Sequence, residues 1–294
     1  MRISIKLSAA LLALSAAPLA LAEKAFDKEV AAEERGVVEV SNTSGMVEIS
    51  GWDRHAVSVH GELDEGVERV DVTSEAGRTL IKVVLPEHSR HGEARLHIKI
   101  PKDSELHLTT VSADATVSGV NGAQRVNAVS GDVTTEIAAG NLELKTVSGD
   151  VKIKGHGQPA QLRVTTVSGD VHLEHGGGDL ETTTVSGTLV VSLDTARSVH
   201  ARTTSGDMHF DARMTRGSSF EASTVSGDLN VRASAEGGYA YEVSTFSGDI
   251  SDCFGGAKAE KGIIGHSMSG SRGEGAGHMR LKTMSGDVQL CDRT

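Results

Sequence analysis

Aromatic residues make up only 3% of the 294-residue chain: five Phe, two Tyr and one Trp. So few large rings suit thin stacked layers better than one wide core. Cations are outnumbered, with 29 Lys and Arg against 40 Asp and Glu, for a formal charge of −11. An acidic chain matches neither nucleic acid nor anionic lipid heads, so no nucleic-acid partner is expected. Only two cysteines are present, and no Cys stands near a His in zinc-ligand spacing. Outside Leu7 to Leu19 no apolar run could cross a membrane as a helix, so a spanning protein is not expected. Helix-forming composition is confined to Phe26–Arg35, which reads as a cap or a lead-in.

Residues 1–22 read as a secretory leader. Arg2 and Lys6 give a basic start, Leu7 to Leu19 is apolar, and Ala20-Leu21-Ala22 offers small residues for cleavage before Glu23. No Cys follows the cleavage point, which argues against a lipoprotein anchor. The expectation is an exported protein, periplasmic or at the cell surface. Loss of Arg2 and Lys6 with the leader takes its formal charge from −11 to −13.

What is present in quantity is glycine, 34 residues, and a repeat. The hexapeptide Thr146-Val147-Ser148-Gly149-Asp150-Val151 recurs with its Ser at 112, 130, 148, 168, 186, 205, 226, 247, 269 and 285. The steps are 18, 18, 20, 18, 19, 21, 21, 22 and 16 residues. A period of this length predicts a solenoid of stacked units. In Leu162 to Leu173, Leu162, Val164 and Thr166 alternate with polar neighbours, and Val171 and Leu173 do so after Ser168-Gly169-Asp170. Each repeat therefore reads as strand, Gly corner, strand and loop.

The same positions recur as columns. Six residues before the Ser stand Leu106, Leu142, Leu162, Leu180, Val199, Phe220, Tyr241, Ile263 and Met279. Three after it stand Val133, Val151, Val171, Leu189, Met208, Leu229, Ile250 and Val288. Both read as core ladders. Two before it, Thr110, Thr146, Thr166, Thr184, Thr224, Thr245 and Thr283 form a column able to hydrogen-bond from rung to rung. Directly before the Ser come Val111, Val129, Val147, Val167, Val185, Val225, Phe246, Met268 and Met284. The economical reading is that the corner twists this column inward. Strict alternation points it outward, as an apolar stripe for a partner.

Residues 23–101 read as an N-terminal β cap and first coils, and residues 102–294 as the regular solenoid of the same domain. Leu80–Leu85 and Leu96–Ile100 look like a hairpin around the loop from Pro86 to Glu93. Trp52 reads as a core anchor of the cap. The Ser269 repeat is the least regular, since Ser271 stands where the corner Asp is expected.

Together, Val40-Ser41-Asn42-Thr43-Ser44-Gly45, Ile49-Ser50-Gly51-Trp52-Asp53, Ile98-Lys99-Ile100-Pro101-Lys102 and the ordered Thr-Val-Ser-Gly-Asp-Val copies resemble the bacterial putative-adhesin family. The resemblance covers nearly the whole mature chain. It implies a β-solenoid in an envelope setting, and it carries over no catalytic residues.

The corner aspartates are the most tempting chemistry. Asp114, Asp132, Asp150, Asp170, Asp207, Asp228, Asp249 and Asp287 occupy most corners, with Thr188 and Ser271 as exceptions. The economical reading is that each accepts backbone N–H bonds at its own turn. The alternative is a line of calcium ions, with Asp132, Asp150, Asp170, Asp207, Asp228 and Asp249 as metal ligands. A polysaccharide-active β-helix enzyme, lyase or hydrolase, needs a carboxylate pair at one place rather than a repeat. His88 with His91, and His172 with His175, have loosely metal-like spacing but lack an acidic or Cys partner. His175-Gly176-Gly177-Gly178-Asp179 opens like a calcium repeat and occurs once. The recurring Ser has no His in register, so it is no triad nucleophile.

Cys253 and Cys291 each lie six residues after a repeat Ser. If the Ser269 repeat stacked between them they would be about two rungs apart, too far to bond. If Gly255 to Gly277 is an excursion they are neighbours, and a disulfide is expected in an oxidising compartment. The expectation is therefore an all-β, single-domain β-solenoid of about ten 18–21-residue rungs with an N-terminal β cap. Its role is a non-enzymatic, adhesin-like scaffold with no required cofactor. The partner is an envelope protein or glycan, or a second copy met through a sheet face, and Val129, Val147, Val167, Val185 and Val225 are the candidate interface stripe. A polysaccharide-active enzyme and a calcium-stabilised surface protein are the alternatives.

Overall fold

The computed structural model describes residues 24–86, 92–255, 260–262 and 265–293. All regular structure among them is β, in one hydrogen-bonded network, and no helix occurs among the described residues. The leader, His88, His91 and Ile263 lie outside the described residues.

One coil explains the rest. In the strand Ala160–Ser168, Leu162, Val164 and Thr166 are buried while Arg163 points out. After the corner, Val171 and Leu173 are buried in turn. The corner needs glycine twice over. Gly169 has φ +118°, and a Cβ there would sit 2.2 Å from the carbonyl oxygen of Gly149 in the rung below. Each leg pairs in parallel with the same leg of its neighbour. Leu142 to Thr146 matches Leu162 to Thr166, and Val151 to Lys154 matches Val171 to Glu174. The architecture is β-solenoid-like, and the two core columns line its interior. In the Ser130 rung the first core column turns polar at Gln124, and a second polar residue, Thr135, five after the Ser, joins it inside. The Thr135 hydroxyl donates to the Gln124 side-chain carbonyl.

The register fixes the order of the stack. Ser44 lies beside Ser112, then Ser130; Ser168, Ser186, Ser205 and Ser226 follow in chain order. The order then departs from the sequence. Ser226 pairs with Ser285, and Ser285 pairs with Ser247, so the last rung of the chain lies between two earlier ones. The Ser269 repeat is no rung at all. His266–Arg272 runs antiparallel along Tyr239–Ser247, and Met268 is buried rather than part of an outer column.

Both ends of the parallel stack turn antiparallel. At the C-terminal end His266–Arg272 covers the edge. At the N-terminal end Arg69–Glu75 lies antiparallel on Arg78–Val84, and Ala56–Leu63 lies antiparallel on Ala94–Pro101. Lys24–Ala31, which takes in the first part of the helix-forming stretch Phe26–Arg35, is an edge strand antiparallel to Ala56–Leu63. Pairing to a ready edge overrides weak helix propensity. The expected hairpin around Pro86 to Glu93 is not formed. Arg78–Val84 and Ala94–Pro101 instead pair with the two halves of Val37–Trp52, as the two legs of one coil.

Candidate functional site

Three outward columns run along the stack, two of them at the corner and one on the strand before it. The Val column is the first, and it points out, not in as the economical reading had it. Val111, Val129, Val147, Val167, Val185, Val225, Met284 and Phe246 are 44–61% exposed, and they are the exposed large hydrophobics among the described residues. The twist that would bury them is absent because Thr at the preceding position already occupies the inward site. Val is a good strand former, but strand propensity does not account for the column. At other outward positions of the same leg the chain places Asn127, Lys145, Thr165, Thr183 and Arg202, or Arg125, Glu143, Arg163, Glu181 and His200. At about 4.8 Å per rung, the eight steps from Val111 to Phe246 make a stripe about 38 Å long. Thr204 is its one polar member.

The second column is Asp. Seven of the eight carboxylates, all but Asp249, accept a backbone N–H from the next rung's corner rather than their own turn, which corrects the expected partner. Asp114 Oδ1 accepts from the Asp132 N–H at 2.9 Å, Asp132 from Asp150 at 2.9 Å, and Asp150 from Asp170 at 3.0 Å. Asp170 accepts from Thr188 at 2.7 Å, and Thr188 has no carboxylate to pass the chain on. Beyond it Asp207 accepts from Asp228, Asp228 from Asp287 and Asp287 from Asp249. The corner turns these N–H groups away from the carbonyl ladder, and Asp supplies the missing acceptor. No cluster of three or more His, Cys, Asp or Glu is arranged to hold a metal among the described residues.

The third column was missed in the sequence. Five residues before each Ser, Glu39, His107, Arg125, Glu143, Arg163, Glu181, His200, Glu221, Arg280 and Glu242 follow one another up the stack, acidic residues alternating with Arg or His, save that His107 and Arg125 adjoin. Arg125 reaches Glu143 at 3.3 Å, Arg163 reaches Glu181 at 2.7 Å, and Arg280 reaches Glu242 at 3.0 Å. The signal was there to read. In chain order Glu221 and Glu242 are successive like charges, and only the insertion of Arg280 between them restores the alternation.

A shallow groove of 620 Å³ runs over this face, lined by Arg125, Glu143, Arg163, Glu181 and His200 among others. Its carboxylates are neutralised by neighbours. Hydrogen bonds from Lys145 and then Arg125 hold Glu143 below the usual carboxylate range, and Arg197 does the same for Asp179. At the next loop, hydrogen bonds from His156 and the Gly119 N–H lower Glu136. Groups held ionised in this way are poor general acids. A second groove, of 680 Å³, crosses the other leg near His172, His175 and His209. His172 pairs with Glu174 and His175 with Asp194, so the two do not converge on one point.

Cys253 and Cys291 are bonded, with Cα atoms 4.8 Å apart on adjacent rungs. Trp52 is half-buried rather than part of the core. Its indole N–H donates to the Ala56 carbonyl at 2.8 Å, and Arg54 stacks 5.0 Å from the ring centre. The Thr hydroxyls do not form one ladder: Thr245 and Thr283 donate to the Gly286 and Gly227 carbonyls of the neighbouring rung at 3.1 and 3.4 Å, whereas others stay within their own rung. Thr146 and Thr166 donate to the carbonyl of their own corner Ser at 3.2 and 3.3 Å.

A family model, that of Toastrack DUF4097, matches residues 37–291. No curated protein sequence matches the chain. Among solved structures, a putative lipid binding protein from Parabacteroides distasonis is similar at 11% identity, covering 90% of this chain and 96% of its own, with a TM-score of 0.43. A putative adhesin from the same organism is similar at 9% identity, covering 91% and 97%, with a TM-score of 0.43. A putative cell adhesion protein from Clostridium sporogenes is similar at 10% identity, covering 92% and 100%, with a TM-score of 0.26.

Proposed function

The chain belongs to the Toastrack family, a putative-adhesin family, and from that premise we propose that it is a non-enzymatic, adhesin-like scaffold of the bacterial envelope. It is a β-solenoid of about ten rungs with an N-terminal β cap, exported on the leader of residues 1–22 and working in the periplasm or at the cell surface. Its binding surface is the corner ridge, and its partner is an envelope protein or glycan. The observation that carries this is the apolar column itself. Eight large apolar side chains stand exposed in line where the other outward columns of the same leg are mostly polar. The neutralised carboxylates of the grooves support a binding role over hydrolysis or elimination.

The test replaces Val147, Val167 and Val185 together with Ser. The thermal midpoint is expected to hold, while retention of the purified mature protein on isolated envelopes falls. A large drop in midpoint would make the column structural, and unchanged retention would move the binding surface elsewhere. Since seven of the eight corner aspartates already hold an N–H partner, calcium against chelator is expected to leave the midpoint unmoved.

A further inference from the structure

We propose that the occupant of this ridge is a second copy of the same chain, docked ridge to ridge with both stacks pointing the same way. The inference rests on the ridge as a binding surface and names its partner and geometry.

The first argument is spacing. The apolar side chains recur once per rung, at about 4.8 Å, over eight steps. A helix presents its surface at a pitch of about 5.4 Å, so it drifts by about 5 Å, one whole rung, along the stripe. An extended strand offers same-face side chains about every 6.8 Å and falls out of step within two or three rungs. A parallel β stack with the same rung spacing stays in step throughout. This chain is such a stack.

The second argument is charge, and it selects the orientation. On one flank of the Val column runs the Asp ladder. On the other flank, three residues before each Ser, stand Thr109, Asn127, Lys145, Thr165, Thr183, Arg202, Ser223, Lys282 and Ser244. That column holds three cations and no acid. A two-fold axis running along the stack lays the Asp ladder of each copy against the acid-free column of the other. A two-fold axis across the stack, which makes the copies antiparallel, lays Asp against Asp, and like charges at this range repel.

The third argument is size. A strip about 38 Å long and roughly 16 Å wide, from the acid-free column to the Asp ladder, covers about 600 Å² per copy. Two such strips bury about 1,200 Å², the low end of stable interfaces. A modest, reversible dimer is the consequence.

With the axis along the stripe, every residue of the apolar column faces its own counterpart. Single variants Val111→Cys, Val185→Cys and Val225→Cys, each oxidised mildly with the native disulfide intact, are therefore all expected to give covalent dimers. Antiparallel copies would crosslink only Val185→Cys, at the middle of the stripe, and that result overturns the orientation. Arg202→Glu with Lys282→Glu adds a second reading. It is expected to weaken the dimer at least tenfold at low salt, with recovery as salt screens the new acids. A protein of monomer mass by light scattering at high micromolar concentration, with no crosslinking at any of the three sites, overturns self-association. In that case the Val147, Val167 and Val185 to Ser variant still decides the envelope reading separately, because it reports on retention rather than on mass.

Discussion

Between Ser112 and Ser226 the stack follows the chain, each rung lying on the one made just before it. From Ser226 onwards it does not. Tyr239–Ser247 stands two rungs away from Met208–Ser226, and Gly277–Ser285 fills the space between them. The second leg repeats the arrangement, with Val288–Asp292 between Leu229–Ala235 and Ile250–Asp252. The difference teaches what a rung needs from its neighbour. In the middle, proximity along the chain is enough, since closing a loop of about 20 residues costs little more than closing a shorter one. At the end, three kinds of side chain override chain order. Arg280 separates Glu221 from Glu242, Asp287 links Asp228 to Asp249 through corner N–H bonds, and Cys291 meets Cys253. Aromatics gather there too: Phe210 packs edge-on to Phe220, and Tyr241 lies against Tyr239 and Phe254.

The comparison can be broken most severely by removing the inserted rung. Ending the chain at Ala276 deletes Met279, Leu281, Val288 and Leu290, all buried. At about 1.5–3 kcal/mol for each buried side chain, the loss exceeds about 5 kcal/mol. Hydrogen exchange should show protection lost from Met208 onwards, while the middle of the stack is less affected. A cooperative melt at the full-length midpoint would mean that the two flanking rungs close up unaided.

Next in size is the disulfide. Cys253→Ser is expected to cost about 2–4 kcal/mol for a loop of 38 residues, seen by denaturant titration. The effect should be confined to exchange protection beyond Ser226. A loss spread evenly over the stack would deny the C-terminal region its separate character.

The middle of the stack is tested by its corners. Gly149→Ala puts a Cβ 2.2 Å from the Gly131 carbonyl at φ +114° and is expected to cost about 2–3 kcal/mol. Gly217→Ala, at φ +75° with nothing within 4 Å, should cost only about 1 kcal/mol. Equal costs would show that the backbone angle, not the approach of the next rung, makes the corner demanding.

Arg280→Glu and Arg163→Glu sharpen the comparison further. Each is expected to cost up to about 1 kcal/mol at low salt, since exposed pairs contribute little. Only Arg280→Glu should also lower the yield of the Cys253–Cys291 bond on refolding, measured by thiol titration. Equal yields would leave charge no part in setting the order.

The smallest effect is that of acid. Glu136, Glu143 and Asp179, all in the middle of the stack, have pKa values lowered by their partners. Their contribution is present above the unfolded-state values of about 4 and disappears as pH falls through the lower folded-state values. All three are partly exposed, so solvent screening keeps the loss small. A midpoint that rises between pH 5 and pH 3 would contradict the sign.

Much of the fold was legible because a solenoid writes its contacts locally. Leu162, Val164 and Thr166 reveal their burial by alternation alone, and Gly169 its corner by recurrence. The N-terminal coils were harder to read. Arg78–Val84 and Ala94–Pro101 stand either side of a polar stretch in the sequence, so two legs of one coil looked like a hairpin. The Val column was misread because a corner can twist either way, and the repeat does not say which. Trp52 was misread because one indole in a sparse chain looks like core, whereas its N–H needed the nearby Ala56 carbonyl.

The sequence by itself determined the rung, its inward columns, its Gly corner and the resemblance that places the chain in its family. These follow from the period-two geometry of a strand and the steric demands of one residue. Only the tertiary structure decided that the Val column faces solvent, that seven corner Asp carboxylates bond to their neighbours' corners, and that the last rung lies between two earlier ones. All three depend on which rung stands next to which, and adjacency in a stack is set by pairing across space.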